Sequence, residues 1–140
     1  WAVVRERPLA EAGTLVHYLK KNEAQNRSKA YETETAGALR SELDYKLIAS
    51  SAAYFLLEIN PHTGRHHQIR VQLSSMGCPI KGDTKYGFKR GNEDASIHLH
   101  ARSVEFVHPV TKQKITIIAK APNEVLWNEF SRLTADKHNA

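Results

Sequence analysis

The stretch from Leu56 to Gly87, LLEINPHTGRHHQIRVQLSSMGCPIKGDTKYG, limits the folds open to this chain more than any other. It starts inside an almost unbroken apolar run, Tyr54-Phe55-Leu56-Leu57-Glu58-Ile59, the pattern of a strand covered on both faces. Asn60-Pro61 breaks that strand. Beyond Thr63-Gly64, Ile69, Leu73 and Met76 recur at i, i+4 and i+7, which predicts a helix over 65–76 with one apolar face. Arg65, His66, Gln68, Arg70 and Gln72 are assigned to its remaining surface. Gly77 is placed to close the helix, while Gly82 and Gly87 punctuate the loop that follows.

The rest of the chain reads around this unit. Residues 1–7 resemble a strand ending at Arg7-Pro8, and Gly13 to Leu19 is apolar without a period that separates helix from strand. From Lys20 to Arg40 polar residues dominate, which predicts a long polar loop over 20–40. Leu43, Tyr45, Leu47 and Ala49 then alternate with Asp44 and Lys46, the period of a half-buried strand. With a turn at Ser50 to Ala53, this strand and the apolar one after it form an antiparallel pair. His98 to Val107 and Ile115 to Ala119 read as two further strands joined at His108 to Lys112. Asn123 is placed to cap a last helix on which Leu126, Phe130 and Leu133 share a face. Five or six strands and two helices without strict alternation predict an α+β fold: a mainly antiparallel mixed sheet with flanking helices, in one domain over 1–140.

A net charge of +5 favours a polyanionic partner, since lysine and arginine release counterions from phosphate. The single cysteine, Cys78, excludes an internal disulfide and fits a reducing, cytoplasmic setting; it reads as a packed side chain. No apolar run approaches a membrane span. The first residue is Trp1, in a strand already under way, so the reading expects further chain upstream.

Chemistry concentrates at the start of the 65–76 helix. His66 and His67 lie four and three residues before Arg70, which brings the three side chains near one another. A helix N-terminus adds free N–H donors and partial positive charge. Such an end receives an anion, either a phosphate or a carboxylate of the protein itself; a solvated basic face fits the spacing equally well. His98 and His100, alternating on one strand, raise a metal-site reading, but no carboxylate spacing completes a ligand set.

The run T-G-R-x-H-Q-I-R-V-x-L over Thr63 to Leu73, followed by G-C-P-I-x-G-D-x-x-Y-G over Gly77 to Gly87, resembles the third motif of RluA-type RNA pseudouridine synthases. Trp1 to Val4 is similar to the strand after that family's active-site tyrosine, and Leu99-His100-Ala101 with Phe106, His108 and Pro109 to its late hairpin. The resemblance implies the C-terminal part of a catalytic domain acting on uridine in ribosomal or transfer RNA, without metal or organic cofactor. It also implies roles: Arg70 as partner of the catalytic aspartate, and Ile69 packed near the target base. Arg65, His66, His67, Gln68, Lys81, Lys85 and Tyr86 would face RNA. Where many members carry threonine, this chain has His66. The family's H-R-L-D-x-x-T-S-G motif does not occur, and Asp83 matches the G-D-x-x-Y-G loop instead of the nucleophile. The 140 residues alone are therefore expected to be inactive, with a non-catalytic RNA-binding module as the alternative.

Overall fold

A computed structural model describes residues 1–138. Its elements are strands β1 (Ala2–Val4), β2 (Ala12–Asn22), β3 (Arg27–Tyr31), β4 (Leu39–Ser50) and β5 (Phe55–Pro61), then helix α1 (Gln68–Ser75). A single 3-10 turn (Thr84–Tyr86), strands β6 (Ser103–Val107) and β7 (Lys114–Ile118), and helix α2 (Val125–His138) complete them. The first five strands form one sheet in the order β1-β5-β4-β2-β3; β6 and β7 pair separately. Every pairing between these strands is antiparallel, in accord with the α+β expectation.

The apolar run of β5 is covered on both sides because α1 and α2 pack on opposite faces of its end of the sheet. Leu57, with Ala2 and Val4 of β1, meets Leu73 of α1 and Ile80. The alternate residues Leu56 and Val3 meet Trp127 and Phe130 of α2. Full burial of aliphatic side chains this size is worth about 1.5–3 kcal/mol each. Further along the sheet only one face is covered. Ser41, Leu43 and Tyr45 are buried beside His17 and Leu19, while Tyr18, Lys20, Arg40 and Lys46 lie on the uncovered face. No helix among the described residues is long and apolar enough to cross a membrane.

Several boundaries differ from the sequence reading. The 20–40 stretch is not one loop: it holds the end of β2, all of β3 and the start of β4. Its polarity arises because β3 is an edge strand with little apolar burial, and composition alone cannot separate that from a loop. The first strand is three residues long, matching the three that pair with β5. Gly13 to Leu19 is strand. In the predicted 98–107 strand, only 103–107 forms a ladder, and Leu99 makes an isolated bridge to Ala2. At the start of α2 it is the Glu124 carboxylate, not Asn123, that accepts from the Trp127 N–H; Asn123 binds the Asn128 side chain.

Helix α1 begins at Gln68, three residues later than predicted, since His67 adopts a left-handed conformation (φ 54°) before it. It ends as expected. Gly77 has φ +90°, the Cys78 N–H reaches Leu73 O at 2.9 Å and the Gly77 N–H reaches Ser74 O at 3.0 Å. These two bonds are a Schellman closure. Nothing lies within 4 Å of a Cβ added at Gly77, so backbone strain alone sets the cost of a side chain there. Gly77→Ala is expected to lower unfolding free energy by about 1–2 kcal/mol, read from urea melts.

Candidate active site around Arg70

The turn leading into α1 is tied to the sheet by side chains. Gln68, buried instead of solvated as predicted, accepts from the Thr63 hydroxyl (2.8 Å) and the Arg65 N–H (2.9 Å) and donates to Glu42 O (3.1 Å). Thr63 Oγ1 in turn accepts the Glu42 N–H. One helical turn on, Gln72 is also fully buried, its amide nitrogen 2.9 Å from His17 Nδ1 and 3.3 Å from Leu15 O. These glutamines face inward because the strands beneath α1 present polar partners that a solvated helix face would not meet. Arg65 stays outside, its guanidinium donating to Arg40 O.

Arg70 makes a two-pronged ion pair with Asp83, Nε to Oδ2 and Nη2 to Oδ1, both 2.9 Å. Asp83 is 1% exposed and the Arg70 side chain 21%. The planar fork matches the carboxylate, and its charge-assisted bonds hold the guanidinium in one plane. They also raise the Arg70 pKa, with the hydrogen bond to Asp83 the largest cause. Beneath this pair lies the buried Tyr86 ring, whose centroid is 5.0 Å from the Arg70 guanidinium carbon and 5.3 Å from that of Arg27. Nη1 of Arg70 has no hydrogen bond among the described residues.

The Tyr86 hydroxyl joins the loop after α1 to the hairpin of β2 and β3. It accepts the Ser28 N–H at 2.9 Å and stands 2.6 Å from His67 Nδ1. A neutral His67 ring protonated at Nε2 offers a bare Nδ1 to the hydroxyl proton, whereas a ring protonated at Nδ1 donates to the hydroxyl oxygen. Burial, reinforced by Arg70 and His66, pushes the His67 pKa down to about 4. His66 stacks on His67 with centroids 3.7 Å apart and reaches Ser28 Oγ and Asn26 Oδ1, both at 3.0 Å. Its pKa is also lowered, first by burial and then by Lys21.

Of the residues singled out in the sequence, Arg70, His66, His67 and Tyr86 come together. Lys85, partly exposed and without a carboxylate partner among the described residues, contributes to the field on both histidines. Lys81 is diverted: its Nζ donates to Asn92 Oδ1 at 2.7 Å, beside His98. Ile69 faces another way and lines a cavity of about 570 Å³ with Trp1, Asn60, His100 and Arg102. Asp83, Asn26, Arg27 and Ser28 were not read as site residues. Asp83 had a signal in the G-D-x-x-Y-G loop, whereas the hairpin tip joins through contacts about forty residues away that spacing cannot show. His98 and His100 are engaged elsewhere, by Glu124 and Ala119 O, and no set of three metal-ligand residue types converges among the described residues. Cys78 is buried, which raises its thiol pKa.

The sequence profile of a family described as RNA pseudouridylate synthase matches residues 1–75, more than half of the chain. The chain belongs to the RNA pseudouridine synthase family, RluA type. It is 41% identical over 89 residues to a tRNA pseudouridine synthase C of Haemophilus influenzae, covering 57% of this chain and 37% of that protein. To a ribosomal large subunit pseudouridine synthase C of Rickettsia prowazekii it is 32% identical over 124 residues, covering 87% and 41%. The chain thus spans about two fifths of the length of these relatives. The solved structure of human RNA pseudouridylate synthase domain containing 4 superposes with a TM-score of 0.70 at 22% identity, over 96% of this chain and 60% of that one. That likeness establishes the synthase fold.

Two outcomes follow from the site's electrostatics. Asp83→Asn leaves the Arg70 charge without its partner and is expected to lower stability by about 2–3 kcal/mol in urea melts, less than a fully buried pair would lose because Arg70 is partly solvated. His67 has a folded-state pKa below its unfolded value, so the unfolded chain binds more protons between about pH 6.5 and 4. Stability therefore falls as pH drops through that window. Replacing His67 by Gln is expected to flatten this limb in melts recorded from pH 7 to 4, and an unchanged limb would contradict a neutral, half-buried ring.

Proposed function

We propose that this chain forms part of an enzyme that isomerises uridine to pseudouridine in transfer or ribosomal RNA, with Arg70 as the residue that holds the catalytic aspartate. The observation that carries this reading is the geometry of Arg70. One edge of its guanidinium is fixed by Asp83 and one face by Tyr86, which leaves Nη1 as the edge available to a second carboxylate.

The reaction breaks the N1–C1′ bond of uridine, turns the base over and joins C5 to C1′, with loss of the C5 proton. A carboxylate working on such a base must stay ionised in a desolvated pocket. Burial raises its pKa and a neighbouring guanidinium lowers it, so Arg70 supplies the opposing effect. The target base leaves its stack to reach the pocket, at a cost of a few kcal/mol, and Ile69 offers apolar contact on the adjoining surface. These steps call for no metal or organic cofactor.

The aspartate itself comes from a part of the protein outside these 140 residues. Asp83 has both oxygens on Arg70, Asp44 is partly exposed and bonded to Thr14 and His62, and Asp94 closes a turn with Ser96. Asp136 is the remaining aspartate, and none of the four lies in the family's nucleophile motif. The isolated residues 1–140 are accordingly inactive.

The test is tritium release from transfer and ribosomal RNA carrying [5-³H]uridine. The complete protein is expected to release tritium, the 140-residue chain none, and Arg70→Met at least about 10²-fold less than wild type. Turnover by the 140-residue chain would refute the assignment of the nucleophile. A complete protein that binds RNA but releases no tritium would make this a non-catalytic RNA-binding module.

A further inference from the structure

The uncovered face of β2, β3 and β4 carries an arrangement that the site around Arg70 does not use. α1 docks on the opposite face, through Leu19 and through the Gln72 bonds to Leu15 O and His17. On the uncovered side, the hairpin register sets Tyr18 directly opposite Tyr31 and Lys20 directly opposite Lys29. Arg40 of β4 lies beside Tyr18 on its other flank. Both tyrosines are partly exposed, and Lys20, Lys29 and Arg40 are exposed.

Two like charges directly opposite on an antiparallel pair destabilise the sheet. No carboxylate among the described residues lies within ion-pair distance of Lys20 or Lys29; Lys29 instead stands 5.1 Å from the centre of the Tyr31 ring. Arg40 has a loose contact with Glu42 at 3.6 Å, and Glu42 is the carboxylate nearest the cluster along β4. The fold thus carries two facing lysines without a carboxylate partner among the described residues, flanked by two partly exposed aromatic rings. An acidic protein surface would meet the lysines but has little use for the rings. A nucleic acid strand meets both, with phosphates on the cations and unpaired bases on the ring faces.

The geometry points to this face as a second RNA-binding surface, which takes single-stranded RNA flanking the modified uridine. It rests on the reading of the chain as part of an RNA-modifying enzyme. Lys20, Lys29 and Arg40 hold backbone phosphates, while Tyr18 and Tyr31 support bases by stacking. Neither kind of contact reads base identity, so the surface strengthens binding of many RNAs alike.

The experiment uses the complete protein with three forms: wild type, Lys20→Gln with Lys29→Gln, and Tyr31→Leu. Each is assayed for tritium release and for binding to a stem-loop RNA with and without single-stranded flanks, over a salt series. The double lysine variant is expected to reduce the slope of log affinity against log salt by about 1.4 and to raise KM with kcat unchanged. Tyr31→Leu is expected to weaken binding about fivefold or more, for the flanked RNA only. Thermal melts verify folding, and Lys29→Gln alone, with about half the change in slope, replaces the double variant if that one does not fold. Wild-type affinity and slope in folded variants would overturn the proposal. So would a lowered melting temperature with unchanged RNA affinity, which would show another part of the protein covering this face. Loss of RNA affinity in the variants of a protein that makes no pseudouridine would keep the surface and remove the enzymatic reading.

Discussion

The docking of α1 through Gln68 and Gln72 is the constraint on which the arrangement of this protein depends. Eight residues are too few for a helix to persist by itself in water. Apolar contact through Leu73 and Ile69 supplies adhesion but tolerates sliding. The two amides do not: each must meet particular backbone groups of β2 and β4, so they fix both the height and the turn of the helix. The arrangement has a cost, because Gln72 Oε1 is buried without a hydrogen-bond partner among the described residues. An amide flip would not relieve it, since the oxygen would then face the carbonyls of Leu15 and Ser41.

With α1 fixed, the site around Arg70 becomes electrically quiet at its centre and positive at its margin. Arg70 and Asp83 cancel, and the stacked histidines are driven toward the neutral form by their surroundings. The uncompensated charges are peripheral, on Arg27 and Lys85. This separation suits a site that draws in a polyanion at its rim and holds an uncharged group at its centre. Peripheral cations attract a polyanion from a distance, and the centre holds no uncompensated charge that would trap a phosphate.

Much of this was legible in the sequence. The strand–turn–helix–loop unit, the Gly77 closure, the two-sided burial of β5 and the α2 face of Leu126, Phe130 and Leu133 all follow from local patterns of apolar residues and glycine. The family motif pointed to Arg70, His66, His67 and Tyr86, which the fold gathers. What was not legible depends on partners distant in sequence. An edge strand such as β3 reads as loop because it has little to bury. Gln68 and Gln72 read as solvated because their partners are backbone groups of other strands. Asp83 was visible as part of a loop, yet its pairing with Arg70 depends on how that loop folds back over α1.

Ile69 and Arg70 are consecutive residues that face different surroundings, one a cavity beside β5 and the other the Asp83–Tyr86 cluster. Neighbours on an α-helix are separated by about 100° around its axis, so α1 is a partition between the mixed compartment beside β5 and the ion-paired one around Asp83. Both compartments share one mechanical setting. Any rotation of the helix would withdraw the apolar wall and the guanidinium together, so the aim of the two side chains cannot be adjusted separately. The fixed angle of a short helix then acts as a gauge, presetting the distance between the Ile69 side chain and the guanidinium that holds a carboxylate.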